Sequence, residues 1–119
     1  LGSLTWSDTT TGKYVSFFTE GSSSTVNDKY ILMPCAGTFS NLYVYSKDNT
    51  GGITRTYSLY VNGSTTALTC SIADPSHNGS DLTHSVSVSA GDNVCLRYID
   101  SSGGGNPSAT KYSMVFSPS

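Results

Sequence analysis

The side chains in this chain that could do chemistry are two histidines, His77 and His84, a scatter of aspartates and a large excess of serine. A Ser-His-Asp relay uses all three types, but it needs them in mutual hydrogen-bond reach, and α/β hydrolases mark the nucleophile with a G-x-S-x-G elbow that is absent here. His84 shares its phase with Leu82, Val86 and Val88, so alternation places it on an apolar face as a core or interface histidine rather than a base. Asp48, Asn49, Asp74, Asp81, Asp92 and Asp100 fall at segment ends, where converging loops could offer calcium its oxygen ligands. No EF-hand spacing accompanies them, and Asp and Asn suit turns because they bond to their own backbone. Asp92, directly after Gly91, reads as a turn residue.

The other motifs carry less. Gly103-Gly104-Gly105 lacks the Lys-Ser/Thr that completes a phosphate cradle, which leaves a flexible loop. Glu20 with dispersed aspartates does not make a glycosidase pair. Asn62-Gly63-Ser64 and Asn78-Gly79-Ser80 match the glycosylation acceptor, although the first is also hairpin chemistry. No cofactor and no metal follow from these residues, and the chain reads as a non-enzyme.

Composition narrows the partners. Six Lys and Arg are spread along 119 residues without a run and the net charge is -2, which argues against a nucleic-acid footprint. No apolar stretch approaches the roughly 20 residues of a spanning helix, so no membrane partner is expected. Charged residues supply 12% of the chain while Ser and Thr supply roughly a third, a hydroxylated surface of the kind common on virions and outside cells. Cys35, Cys70 and Cys95 are odd in number and lack C-x-x-C spacing, so they read as buried free thiols acting as small hydrophobes.

The elements that must position these residues are strands. Short alternating runs at 14–19, 29–34, 39–47, 53–62, 67–73, 82–89, 93–100 and 110–117 are each bounded by turn residues, with Asn62-Gly63 the strongest hairpin signal. Alternation sends inward Leu42 and Val44; Tyr57, Leu59 and Val61; Leu68, Cys70 and Ile72; Leu82, His84, Val86 and Val88; Val94, Leu96 and Tyr98; and Tyr112, Met114 and Phe116. The opposite positions are mostly Ser and Thr, with Tyr43, Tyr45, Tyr60, Arg97 and Ile99 as exceptions. The expected fold is all-β, an eight-stranded antiparallel jelly-roll sandwich. An immunoglobulin-like sandwich is second, lacking the Cys-Trp-Cys spacing because the only Trp is Trp6.

Residues 13–119 form the expected domain, and residues 1–12 read as an N-terminal arm with no period of its own. Leu4 and Trp6 would anchor that arm on a neighbouring subunit, or pack it on its own domain as an extra strand. Tyr43, Tyr45, Tyr60 and Ile99 join them as partner-binding candidates, because exposed aromatics are enriched at interfaces.

Three motifs form a series: Pro34-Cys35-Ala36-Gly37-Thr38-Phe39-Ser40-Asn41-Leu42, then Tyr57-Ser58-Leu59-Tyr60-Val61-Asn62-Gly63 with Ala67-Leu68-Thr69-Cys70, then His84-Ser85-Val86-Ser87-Val88-Ser89-Ala90-Gly91-Asp92. In these the stretch from Met33 to Pro118 resembles compact β-domains in structural proteins of tailed bacteriophages, jelly rolls of the tumour-necrosis-factor and C1q type. The resemblance implies a homotrimer on the virion surface, a capsid decoration (cement) protein contacting the major capsid protein. The alternatives are the receptor- or glycan-binding head of a fibre, with tyrosines stacking on sugar rings, and a subunit of an extracellular filament.

Overall fold

The structure, a computed structural model, describes residues 4–6, 13–15, 30–48, 51–101 and 108–119. Glu20, the turn at residues 21–24, Asn49 and the glycine loop at residues 103–107 lie outside them. Among the described residues the chain forms strands and no helix: β1 (Leu4–Trp6), β2 (Lys13–Val15), β3 (Ile31–Leu32), β4 (Gly37–Asp48), β5 (Thr54–Val61), β6 (Ser64–Ala73), β7 (Asn78–Val88), β8 (Asn93–Asp100) and β9 (Ser108–Pro118).

They make two antiparallel sheets, one in the order β1-β9-β4-β7 and the other β2-β8-β5-β6, with β3 also paired to β8. Residues 1–12 carry no alternation of their own, yet β1 takes the second place expected for the arm, an extra strand on its own domain rather than on a neighbour. Leu4 lies opposite Tyr112 and Trp6 opposite Thr110, because an open edge of N–H and C=O groups pairs with whatever backbone passes along it.

Register explains the core. Tyr57 faces Tyr98, Leu59 faces Leu96 and Val61 faces Val94, so each cross-strand pair sends two apolar side chains to the same side. These meet Phe39, Leu42, Val44, Tyr112 and Met114 of the other sheet in one cluster, with Leu68, Cys70 and Ile72 of β6. Phe39 lies between Val86 and Phe116, its ring 4.8 Å from that of Phe116. The Ser and Thr excess is used outside, where Thr56 bonds Ser71 at 2.9 Å and Ser58 bonds Thr69 at 2.8 Å across β5 and β6. At Asn62-Gly63 both residues have positive φ, 49° and 87°, the geometry a two-residue hairpin requires.

One expected face is corrected. Between the pairs Ser40–Ser85 and Leu42–Asp81, β4 contributes only Asn41, with φ of 53°, whereas β7 contributes Leu82, Thr83 and His84. This bulge flips the phase of β7. Val86 and Val88 keep their inward positions, Leu82 and His84 turn out to solvent, and Asp81 takes the inward place.

Asp81 then closes the corner between the sheets. Its Oδ2 accepts the Thr69 amide of β6 at 3.1 Å, and its Oδ1 accepts the amides of Thr83 at 3.1 Å and His84 at 3.2 Å. Gly79 lets β7 approach β6 this closely: a Cβ there would stand 2.8 Å from Ile72 Cγ1 and 3.3 Å from the Ser71 carbonyl oxygen.

Candidate functional site

Alternation along β4 puts Leu42, Val44 and Ser46 inside and leaves Tyr43 and Tyr45 on the outer face, 51% and 41% exposed. Tyr43 lies between Ser113 of β9 and Ser80 of β7, and Tyr45 between Lys111 and Asn78. The two rings, with Asn78, Lys111 and Ser113, line an open groove of about 280 Å³. Tyr45 leans on His77, ring centroids 6.3 Å apart. His77 is itself fixed to β4, its carbonyl accepting the Ser46 amide at 2.8 Å and its Nδ1 lying 2.8 Å from the Ser46 carbonyl. Leu82 and Val115, 52% and 45% exposed, are the other large apolar side chains exposed in this sheet among the described residues.

The structure separates the residues expected to share a contact. Tyr43 and Tyr45 are on the four-stranded sheet, whereas Tyr60 and Ile99 are on the outer side of the sheet that holds β5 and β8, and both are half-buried. Tyr60 stacks on Tyr30 at 6.4 Å with planes 17° apart. Leu4 and Trp6 have backbone places in β1, and their side chains lie outside the described residues. Lys111 and Ser113 did not figure among the candidates, and Asn78 did so only as a glycosylation acceptor, not as a partner-binding residue. Lys111 and Ser113 alternate out of phase with Tyr112 and Met114, a signal that was present, while Asn78-Gly79 imitated turn chemistry and hid the first four residues of β7.

The groups with chemical potential elsewhere are absorbed by the fold. His84, exposed rather than apolar, holds its Nδ1 2.9 Å from Asp81 Oδ2, with the Thr83 hydroxyl at 3.3 Å. Burial opposes the charge on Asp81, yet the amides of Thr69, Thr83 and His84 and the His84 ring outweigh it and hold the carboxyl well below the usual carboxylate range. At the far end of β5, buried Arg55 donates to the Tyr98 hydroxyl at 2.7 Å, which donates to Asp100 at 2.6 Å. Burial, followed by the bond to Asp100, pushes the Tyr98 phenol well above its ordinary value. Asp92 is the turn residue expected: it accepts the Ser89 amide at 2.8 Å and the Asn62 side-chain amide at 2.9 Å, which lower its carboxyl.

Among the described residues no three His, Cys, Asp or Glu side chains gather as a metal site. The three cysteines are free; Cys70 and Cys95 are buried and burial pushes their thiols up to about 12, whereas Cys35, expected inside, is exposed at the bend before β4. Comparison with protein-family models and with curated proteins finds no match to this chain.

Proposed function

We propose that this chain is a non-enzymatic structural protein of a virion, a jelly-roll decoration protein that sits as a homotrimer on the head of a tailed bacteriophage and contacts its major capsid protein. The carrying observation is the division of labour among the described side chains. Asp81, His84, Arg55, Tyr98, Asp100 and Asp92 are tied to one another or to backbone, while a sheet face with Tyr43, Tyr45, Leu82 and Val115 stands open. A fold that spends these groups on itself and leaves a face exposed is suited to presenting a surface.

Two further features support the reading. The motifs behind the resemblance fall at strand boundaries: Gly37 opens β4, Asn62-Gly63 joins β5 to β6, and Gly91-Asp92 lies between β7 and β8. A cyclic trimer needs two different patches on each protomer, because its interfaces are heterologous. The Tyr60–Ile99 side and the N-terminal segment with Leu4 and Trp6 are the proposed contact regions, which leaves the Tyr43–Tyr45 face turned outward.

Sedimentation at micromolar concentration tests the trimer, and binding to empty heads assembled from the major capsid protein of a tailed bacteriophage that encodes this chain tests the role. Expected are a discrete trimer and saturable, regularly spaced occupancy of the shell. A monomer that leaves shells bare, or a species that grows without limit, overturns the proposal.

A further inference from the structure

We infer that the groove between Tyr43 and Tyr45 is a carbohydrate site that takes the hexopyranose rings of a neutral glycan. The inference needs the face to be free, as the decoration reading has it, but not that reading's capsid partner.

Size is the first argument. At about 280 Å³ the open groove falls just below the range of about 300 to 1,000 Å³ of drug-sized ligand sites, so it suits one or two sugar rings lying across it rather than a larger enclosed ligand. It is poor as the centre of a protein interface, which needs about 800 Å² per partner around a contiguous core. Leu82 and Val115 do not supply that core, since the positions two residues to either side of them are polar, Ser80 and His84 for Leu82 and Ser113 and Ser117 for Val115.

The lining is the second. A pyranose has apolar C–H faces and a rim of hydroxyls, so its receptor needs flat rings beside free donors and acceptors. Tyr43 and Tyr45 are two residues apart on one strand, about 7 Å along it, close enough for one ligand to touch both rings. The side chains of Tyr43, Asn78, Lys111 and Ser113 are not spent on bonds to described residues, and Tyr45 is steadied by His77. A ring that is already placed, as that of Tyr45 is, loses little freedom on binding.

Charge is the third. The lining holds one ammonium, Lys111, and no carboxylate. A polyanion would require several cations, and a basic peptide would require acids. A neutral ligand decorated with hydroxyls matches the one ammonium, the amide and the hydroxyls present.

The test is titration of the intact chain, followed by two-dimensional NMR, with cellotriose, maltotriose, chitotriose and a β-galactotriose at millimolar concentration. At least one sugar should shift the resonances of Tyr43, Tyr45, Asn78 and Lys111. Tyr43→Ala and Tyr45→Ala should each weaken binding at least about tenfold, and Tyr43→Phe should restore most of it. Because the two rings are exposed, these variants keep the fold, which the remaining resonances verify. Absence of shifts with every sugar, or binding that survives both alanine variants, overturns the inference. So does a change of oligomeric state in Tyr43→Ala without sugar binding in the parent, which would make the face a protein interface. None of these outcomes touches the shell-binding result that decides the decoration role.

Discussion

The corner where β6 meets β7 and the outer face of β4 carry similar side chains, hydroxyls, rings and a few charged groups, and use them in opposite ways. At the corner Asp81 accepts three amides from two strands and holds the His84 ring, so its chemistry is consumed by the fold. On the face Tyr43, Asn78, Lys111 and Ser113 have no such partners among the described residues. Residue type therefore does not mark a site in a Ser/Thr-rich β-sandwich. What marks it is which polar groups the backbone leaves unsatisfied.

The largest effect is expected at the corner. Asp81→Ala strips three backbone donors of their acceptor in a partly buried place, and should cost about 2 to 3 kcal/mol, read as a lower urea midpoint at unchanged slope. Asp81→Asn keeps one acceptor oxygen and should cost less. If Asp81→Ala costs no more than a surface substitution, the corner does not hold the sheets together and the contrast collapses.

Acid sharpens the same point. The Asp81 carboxyl is depressed in the folded chain relative to about 3.9 in the unfolded chain, so the unfolded state binds the proton first. Its contribution is therefore complete at neutral pH, begins to be lost as pH falls toward 4, and continues to fall below it. The urea midpoint measured from pH 7 to pH 3 should drop, and Asp81→Ala should flatten that drop, leaving the smaller dependence due to Asp92, which is depressed in the same direction.

The all-β class and most of the strands were legible in the sequence, and the reasons are local; nine strands, not the eight expected, form among the described residues. Strand 93–100 coincides with β8 because Val94, Leu96 and Tyr98 alternate without interruption, and Asn62-Gly63 can hardly be anything but a hairpin turn. β7 was misread because Asp81 accepts the amides of Thr83 and His84 and so makes a turn inside a strand, a long-range arrangement that also requires Thr69. Half of the candidate site was legible: Tyr43 and Tyr45 are aromatic in a polar phase. Asn78 and Lys111 join them only through strand pairing, which no single segment encodes.

An intermediate effect is expected at Cys70, whose sulfur would lie 3.5 Å from a Cβ at Gly79, close behind the corner. Cys70→Ala leaves a small cavity and should cost about 1 to 2 kcal/mol. Thiol titration of the native chain should count one fast group, Cys35, because Cys70 and Cys95 are buried with thiols pushed up to about 12. Unfolding should release the other two, and three fast thiols in the native chain would show that the corner opens readily.

The smallest effect is expected where the ligand is proposed to bind. Tyr43 is about half exposed, and its cross-strand neighbours Ser113 and Ser80 offer little apolar area, so Tyr43→Ala should change stability by no more than about 0.5 kcal/mol. Tyr45→Ala should cost slightly more, because the ring leans on His77, which is bonded to Ser46 of the same strand. Thermal unfolding of the two variants beside Asp81→Ala makes the comparison direct. A ring that matters little to stability is one that the fold has not recruited, and it stays available for another molecule. If Tyr43→Ala and Tyr45→Ala lower the melting temperature as far as Asp81→Ala does, the face belongs to the scaffold after all, and its exposed rings are the visible edge of packing rather than an unspent surface.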